Sequence, residues 1–276
     1  MSLSSTRQTE LNKLCKQFRV DLIEILHKIQ TGHPGGSLSA VEILVTLYYE
    51  KMNHDPKNPQ DPKRDRFILS KGHAAPMLYL ILAECGYFPK EELATLRQLN
   101  SRLQGHPCAN DTPGVELSTG PLGLGISAGV GMAAITKLNR TGEYTYVLLG
   151  DGEMQEGIVW EAAQAANKFG LDHLIVILDH NGVQLDGTVA EIMPAGNIAD
   201  KWRAFGWHVI ETQGHNIQAI AGAIDQAKSV KDNPVIIIAE TVKGKGISFM
   251  EGKNTWHGKA INDEEYVNAL HELGVE

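Results

Sequence analysis

The chain has 276 residues, of which 42% are hydrophobic, and carries 25 Lys and Arg against 33 Asp and Glu, a formal charge of -8. That size suits one sizeable core near the upper end of what a single domain supports, and the acidic balance without any Lys/Arg block excludes a nucleic-acid surface. No apolar run is long enough to span a bilayer. No secretory h-region opens the chain, and Cys15, Cys85 and Cys108 are odd in number, far apart and free of any CxxC pair, so a cytoplasmic protein with reduced thiols and no structural zinc is expected.

Glu10 to Gln30 reads as an amphipathic helix with Leu11, Leu14, Phe18, Leu22, Ile25, Leu26 and Ile29 as its apolar stripe. A break follows at Thr31-Gly-His-Pro-Gly-Gly36, then a second helix over Ser39 to Tyr49. Asn53 to Pro62 is dense in turn formers and belongs on the surface. Arg66 to Ser70 reads as a short strand, and His73 follows in a loop that leads into a helix over Met77 to Ala83. Gly123 to Leu138 spaces glycine and alanine as a closely packed helix would. Tyr144-Thr-Tyr-Val-Leu-Leu-Gly150 and His173-Leu-Ile-Val-Ile-Leu-Asp179 are continuous apolar runs, the pattern of strands buried in a parallel sheet. Between them Ile158, Val159, Ala162, Ala163, Ala166 and Phe169 recur at helical spacing, with Gly170 as a C-terminal cap. Trp207 to Glu211 and Val235 to Thr241 complete the strands, separated by a helix over Ile217 to Lys228. The pattern predicts an α/β fold with a mostly parallel central sheet and helices on both faces. One domain over 1–276 is expected, with a helical N-terminal segment at 8–50 and a C-terminal extension at 243–276.

Both central strands end in polar residues, Gly150-Asp151-Gly152 and Asp179-His180-Asn181. Magnesium takes hard oxygen ligands together with phosphate oxygens, so Asp151 and Asn181 at adjacent strand ends are candidate ligands. Gly150 and Gly152 allow close backbone approach, and the helix that follows offers free amides to an anion. His33, His73, His106 and His257 each lie in a short polar or glycine-rich break away from the helix stripes, which makes them candidates for functional roles without deciding it.

These motifs carry a resemblance. Gly150-Asp-Gly-Glu-Met-Gln-Glu-Gly157 through Asn181 resembles the thiamine diphosphate motif of the transketolase family. Thr31-Gly-His-Pro-Gly-Gly-Ser37, Ser70-Lys-Gly-His73, Gly105-His-Pro107, Gly120-Pro-Leu-Gly-Leu-Gly125, Lys243-Gly244 and Trp256-His-Gly258 follow in that family's order. The likeness covers almost the whole chain but only the first part of a full transketolase, the part that holds the cofactor diphosphate in a thiamine diphosphate-binding fold. It implies thiamine diphosphate with Mg2+, or Ca2+ or Mn2+, as cofactors, the metal held by Asp151, Asn181 and the carbonyl of Val183. His73, Gly120, Leu122, Gly150, Gly152, Glu156 and Asn181 would then bind the cofactor, Glu156 at a subunit interface. His33 and His257 would face the donor's C3 hydroxyl as acid and base, and His106 would lie near its carbonyl. The cofactor would act as electron sink while a two-carbon ketol unit passes from a ketose phosphate to an aldose phosphate.

The family's catalytic glutamate lies in a pyrimidine-binding domain with no counterpart before Glu276. A separate partner subunit is therefore expected, in an α2β2 assembly. His180 and Leu124 depart from common family residues, and neither change removes a metal ligand. Alternatives are a thiamine diphosphate enzyme forming dihydroxyacetone or deoxyxylulose phosphate, and a scaffold subunit that retains the fold without catalysis. A Rossmann nucleotide-binding protein would require GxGxxG after the first strand, and none precedes the central sheet.

Overall fold

The computed structural model describes residues 3–275; Met1, Ser2 and Glu276 lie outside the described residues. The first helix, α1 (Ser5–Ile29), starts five residues before the predicted boundary, because Ser4 caps it by accepting the Arg7 amide at 3.2 Å. Its inner face buries Leu11, Cys15, Phe18, Leu22 and Leu26. The glycine-rich break is not wholly irregular. Pro34 opens a short buried helix, α2 (Pro34–Leu38), because proline suits the first helical position, where its missing N–H costs nothing. The next predicted helix is shorter than expected: α3 (Val41–Thr46) passes into a wide π turn at Leu47–Lys51.

The remaining elements are β1 (Arg66–Leu69), α4 (Ala75–Cys85), α5 (Leu124–Asn139), β2 (Thr145–Gly150), α6 (Gly157–Lys168), β3 (Leu174–His180), α7 (Val189–Ile192), α8 (Ile198–Ala204), β4 (His208–Gln213), α9 (Ile217–Ser229), β5 (Val235–Glu240) and α10 (Asp263–Glu272). The helices α7, α8 and α10 have no counterpart among the predicted elements. Phe169, expected on the buried stripe of α6, instead lies just past the helix and is 57% exposed.

All five strands pair in parallel in the order β1-β2-β3-β5-β4. Side chains alternate between two cores. Tyr146, Leu148, Ile175, Ile177 and Ile237 face the layer of α1, α3, α4 and α9. Val147, Leu149, Val176, Leu178 and Ile236 face that of α5, α6 and α8. Burial on both faces explains why β2, β3 and β5 read as unbroken apolar runs, whereas the edge strand β4 is more exposed and mostly polar. The helix α5 sits close on the sheet because Gly125 has no side chain: a Cβ there would meet the Ser70 Cα at 2.8 Å. This brings the start of α5 against the end of β1.

In the parallel arrangement, the carboxyl ends of β1, β2, β3 and β5 open on one side of the sheet. Ser70–His73, Gly150–Gly152, His180–Val183 and Thr241–Lys243 all emerge there, the position at which open α/β sheets bind ligands.

Candidate active site

Beneath the strand ends lies a charged floor. The Lys71 ammonium pairs with the Asp179 carboxylate, and the two residues are only 1% and 0% exposed. Lys71 also donates to the Gly36 carbonyl at 2.8 Å, and Asp179 accepts from the hydroxyls of Ser39, at 2.5 Å, and Thr241. Burial alone would raise the Asp179 carboxyl, but Lys71 and the two hydroxyls hold it below the usual range. Removing one member leaves the other charge buried without its partner. Asp179→Ala should therefore destabilise the fold by about 3–5 kcal/mol, read as a lower urea midpoint with an unchanged slope; a loss under about 1 kcal/mol would mean that water screens the pair.

Above this floor is a cavity of about 260 Å³ lined by Gly36, Lys71, His73, Leu122, Gly150–Glu153, Gln155, Glu156, Asn181, Val183–Leu185, Lys243 and His257. It brings together most of the residues singled out in the sequence. His33, His106 and Gly120 lie just outside its lining, and ring contacts connect the two histidines to it. The centroids of His73 and His257 are 4.7 Å apart, His33 lies 5.5 and 5.4 Å from them, and His106 stands 6.2 Å from His33. Gly120 packs beside His106. Four histidines from four separate segments, two of them in 3-10 turns, thus form one continuous cluster.

Asp151 knits the two central strand ends together. One oxygen accepts the backbone amides of Asn181 and Gly182, both at 2.6 Å, and the other accepts His180 Nδ1 at 2.7 Å. His180 therefore orients this carboxylate. The Asn181 Oδ1 accepts the Val183 amide at 3.1 Å. Glu156 occupies the N-cap position of α6 without a side-chain capping bond and is exposed at the cavity rim. The buried carboxylate is its neighbour Glu153, which sequence reasoning missed. It accepts Ser70 Oγ at 2.5 Å and the amides of Gly123 and Gly150 at 2.9 and 3.1 Å, while burial pushes its carboxyl up.

Lys243 stands out in the sequence only as part of a motif, with no role of its own. Its Nζ is near the Val183 and Gln184 carbonyls at 3.3 and 3.5 Å and His257 Nδ1 at 2.9 Å, and the residue is 3% exposed. Among the described residues no carboxylate lies within ion-pair distance of it. Burial, reinforced by Lys71 and opposed by Asp179 and Asp151, brings its ammonium down to about 8. Burying a lone cation is costly, and an anion in the cavity would supply the missing partner. Burial likewise lowers the histidines, helped by the nearby cations. His33 falls to about 4 with Arg97, His106 and Lys243 contributing, His257 to about 3, and His73 well below its ordinary value. All three are neutral near pH 7.

The residues fit a diphosphate and a divalent metal. A carboxylate has about four acceptor sites, and three of those on Asp151 are used, leaving capacity for a cation. The donor set would be the Asp151 carboxylate, the Asn181 amide oxygen and the Val183 carbonyl, completed by phosphate oxygens. Among the described residues no group of three or more His, Cys, Asp and Glu is placed to hold a metal.

The family model of the transketolase thiamine diphosphate binding domain matches residues 11–276. The chain is 44% identical over 269 residues to the 6-deoxy-6-sulfo-D-fructose transketolase subunit SqwG of Clostridium sp. (strain MSTE9), covering 98% of each chain. It is 42% identical to an apulose-4-phosphate transketolase subunit of Phocaeicola vulgatus, covering 92% of this chain and 90% of that one. Among solved structures, the transketolase of Pichia stipitis superposes with a TM-score of 0.91 at 33% identity over 96% of this chain. The chain spans only 40% of the length of that protein.

Proposed function

The chain belongs to the transketolase family, whose thiamine diphosphate-binding fold it has, and from that premise we propose that it is one subunit of a two-component ketol transferase. The reaction would move a two-carbon unit from a ketose phosphate to an aldose phosphate. The observation that carries this reading is the four-histidine cluster beside a cavity that holds a buried ammonium without a counter-ion. Such a cavity suits a diphosphate, and neutral imidazoles suit hydroxyl-rich sugars.

Thiamine diphosphate, when bound, supplies the electron sink at the carbonyl carbon. The chain's own residues do the rest of what this half of the site requires. Lys243 and His73 hold the diphosphate, with the Gly152 amide. Asp151, Asn181 and the Val183 carbonyl hold Mg2+, or Ca2+ or Mn2+. Gly120 and Leu122 border the aminopyrimidine. His257 and His33 serve the oxygen on C3, where a proton must leave as the C2–C3 bond breaks, and His106 serves the carbonyl end. Water must be excluded from this centre, and Leu122 and Leu185 supply apolar walls.

The names of the two bacterial relatives each denote a subunit, which supports a partner carrying the pyrimidine-binding domain and its glutamate in an α2β2 assembly. Ile135 and Leu138 on α5 and Phe169 after α6 are exposed, as an uncovered association face would be. The three free cysteines are in keeping with a reducing compartment such as the cytoplasm. Among the described residues no helix is long and apolar enough to cross a membrane.

Mixing the purified chain with a pyrimidine-domain subunit encoded by a neighbouring gene should yield ketol transfer that neither has alone. Full activity from this chain by itself would overturn the two-component reading. Cofactor binding by the mixture with no transfer to any aldose would favour the alternative of another thiamine diphosphate lyase or synthase. Absence of cofactor binding would favour the scaffold.

A further inference from the structure

Arg97 follows a 3-10 turn at Lys90–Thr95 and has a left-handed backbone, with φ 61°, which a long side chain rarely adopts. The conformation is held by its amide, which donates to the Leu103 carbonyl at 2.9 Å. Its guanidinium lies flat against Gly105, where a Cβ would come within 3.1 Å of Nε and 3.2 Å of Cζ and Nη2. Nη1 donates to Thr31 Oγ1 at 2.9 Å and Nη2 meets His33 Nδ1 at 3.2 Å, while Nε is buried with no hydrogen-bond partner among the described residues. Among the described residues no carboxylate is within ion-pair distance of the group. A strained backbone and an unpaired, partly desolvated cation are both unfavourable, and the contacts they secure are those to the loop that carries His33.

We propose that Arg97 is a positioning residue whose guanidinium holds His33 as the neutral tautomer protonated on Nε2, so that His33 offers a hydrogen-bond donor, not a resting base, to a sugar oxygen. Guanidinium has five N–H donors, no acceptor, and no accessible deprotonated form. The Nδ1 that meets it must therefore carry the lone pair, and the single proton of the neutral ring sits on Nε2. This edge faces the Gly258 backbone beside His257, and among the described residues Nε2 has no hydrogen-bond partner. The lowered titration of His33 agrees, since adding a second proton would put a charge beside Arg97 in a buried place. A donor aimed at the substrate stabilises negative charge as it develops on oxygen. Only the identity of that oxygen rests on the proposed ketol transfer.

The test is a long-range proton–nitrogen correlation spectrum of the full chain labelled with 15N-histidine, in which bare and protonated ring nitrogens are distinct and His33→Gln assigns the signal. The parent should show His33 bare at Nδ1 and protonated at Nε2. In Arg97→Met the ring should mix tautomers and its titration should move up toward the ordinary histidine range, because a positive neighbour has gone. The other groups around the ring, His73, His106, His257 and Lys243, are unchanged by the substitution. In the assembled enzyme the acid limb of kcat/KM should move to higher pH in Arg97→Met and return in part in Arg97→Lys, which keeps the charge. A parent His33 protonated on Nδ1 overturns the proposal whether or not the variants fold, as does an Arg97→Met ring with unaltered tautomer and titration. The spectrum needs no cofactor, partner or sugar. The expected tautomer in the chain, with no ketol transfer once the chain is mixed with its partner subunit, would disprove the functional reading alone.

Discussion

Asp151→Ala is expected to abolish metal-dependent binding of thiamine diphosphate. Asp151 is the one carboxylate in the proposed donor set, and Asn181 and Val183 offer only neutral oxygens to a divalent ion that must balance a diphosphate. The same carboxylate also receives the amides of Asn181 and Gly182 and the ring of His180, so its loss unfastens the turn that presents the other two ligands. Asp151→Asn separates the two effects. It keeps one acceptor oxygen for the turn and removes the charge, so binding should weaken without the loop loosening. Calorimetric titration of the assembled protein, with and without the metal, reads both variants. Parent-like affinity in Asp151→Ala would withdraw this residue from the metal site.

His257→Ala should lower turnover by roughly 10²–10⁴-fold, the range typical of a lost proton-transfer group, while cofactor affinity stays close to the parent's. The ring lies against His73 and within 2.9 Å of Lys243, yet the diphosphate contacts are assigned to its neighbours. Its imidazole, held down to about 3 by burial, Lys243 and His33, is an unprotonated group at working pH. It is thus able to take a proton from a hydroxyl but needs the substrate's charge development to do so. His33→Ala should likewise reduce kcat while sparing affinity. Unchanged turnover would remove these rings from the chemistry, and a collapse of cofactor binding would reassign them to the diphosphate pocket.

The central unit was legible because its physical signals are local. Two apolar runs ending in polar residues read as buried strands with candidate ligands at their ends, and β2 and β3 form there with Asp151 and Asn181 just past their carboxyl ends. The loop histidines were legible as candidates, but their meeting was not: no spacing in the chain says that His33 and His257 meet edge to face 5.4 Å apart. Buried charge was invisible for the same reason. Lys71 and Glu153 stand in the sequence only inside motifs, and Arg97 in none, with no role of their own, since composition carries no burial. The short helices were missed with less excuse. Asn262 with Glu265 forms a reciprocal capping box at the start of α10, and Asn197 caps α8, both recognisable signatures in the sequence.

One buried network reaches between the two ends of the chain. Arg19 of α1 pairs with Glu42 of α3 at 2.7 Å, Glu42 accepts His215 Nδ1 at 2.8 Å, and His215 Nε2 accepts the amide of Val242, next to Lys243. Arg19 also donates to the Lys245 carbonyl at 3.0 Å. The order of synthesis gives this arrangement a temporal meaning. Arg19 and Glu42 leave the ribosome long before the groups that complete their hydrogen bonding, and the strand order places β5, made last, between β3 and β4. The layer formed by α1 and α3 reaches its full set of hydrogen bonds only once the segment from Val242 to Lys245 has emerged. Non-local closure of this kind slows folding and prolongs exposure of aggregation-prone surface. The segment bearing Lys243 follows the last strand to be made, and its hydrogen bonds tie α1 and α3 to the carboxyl edge of the sheet.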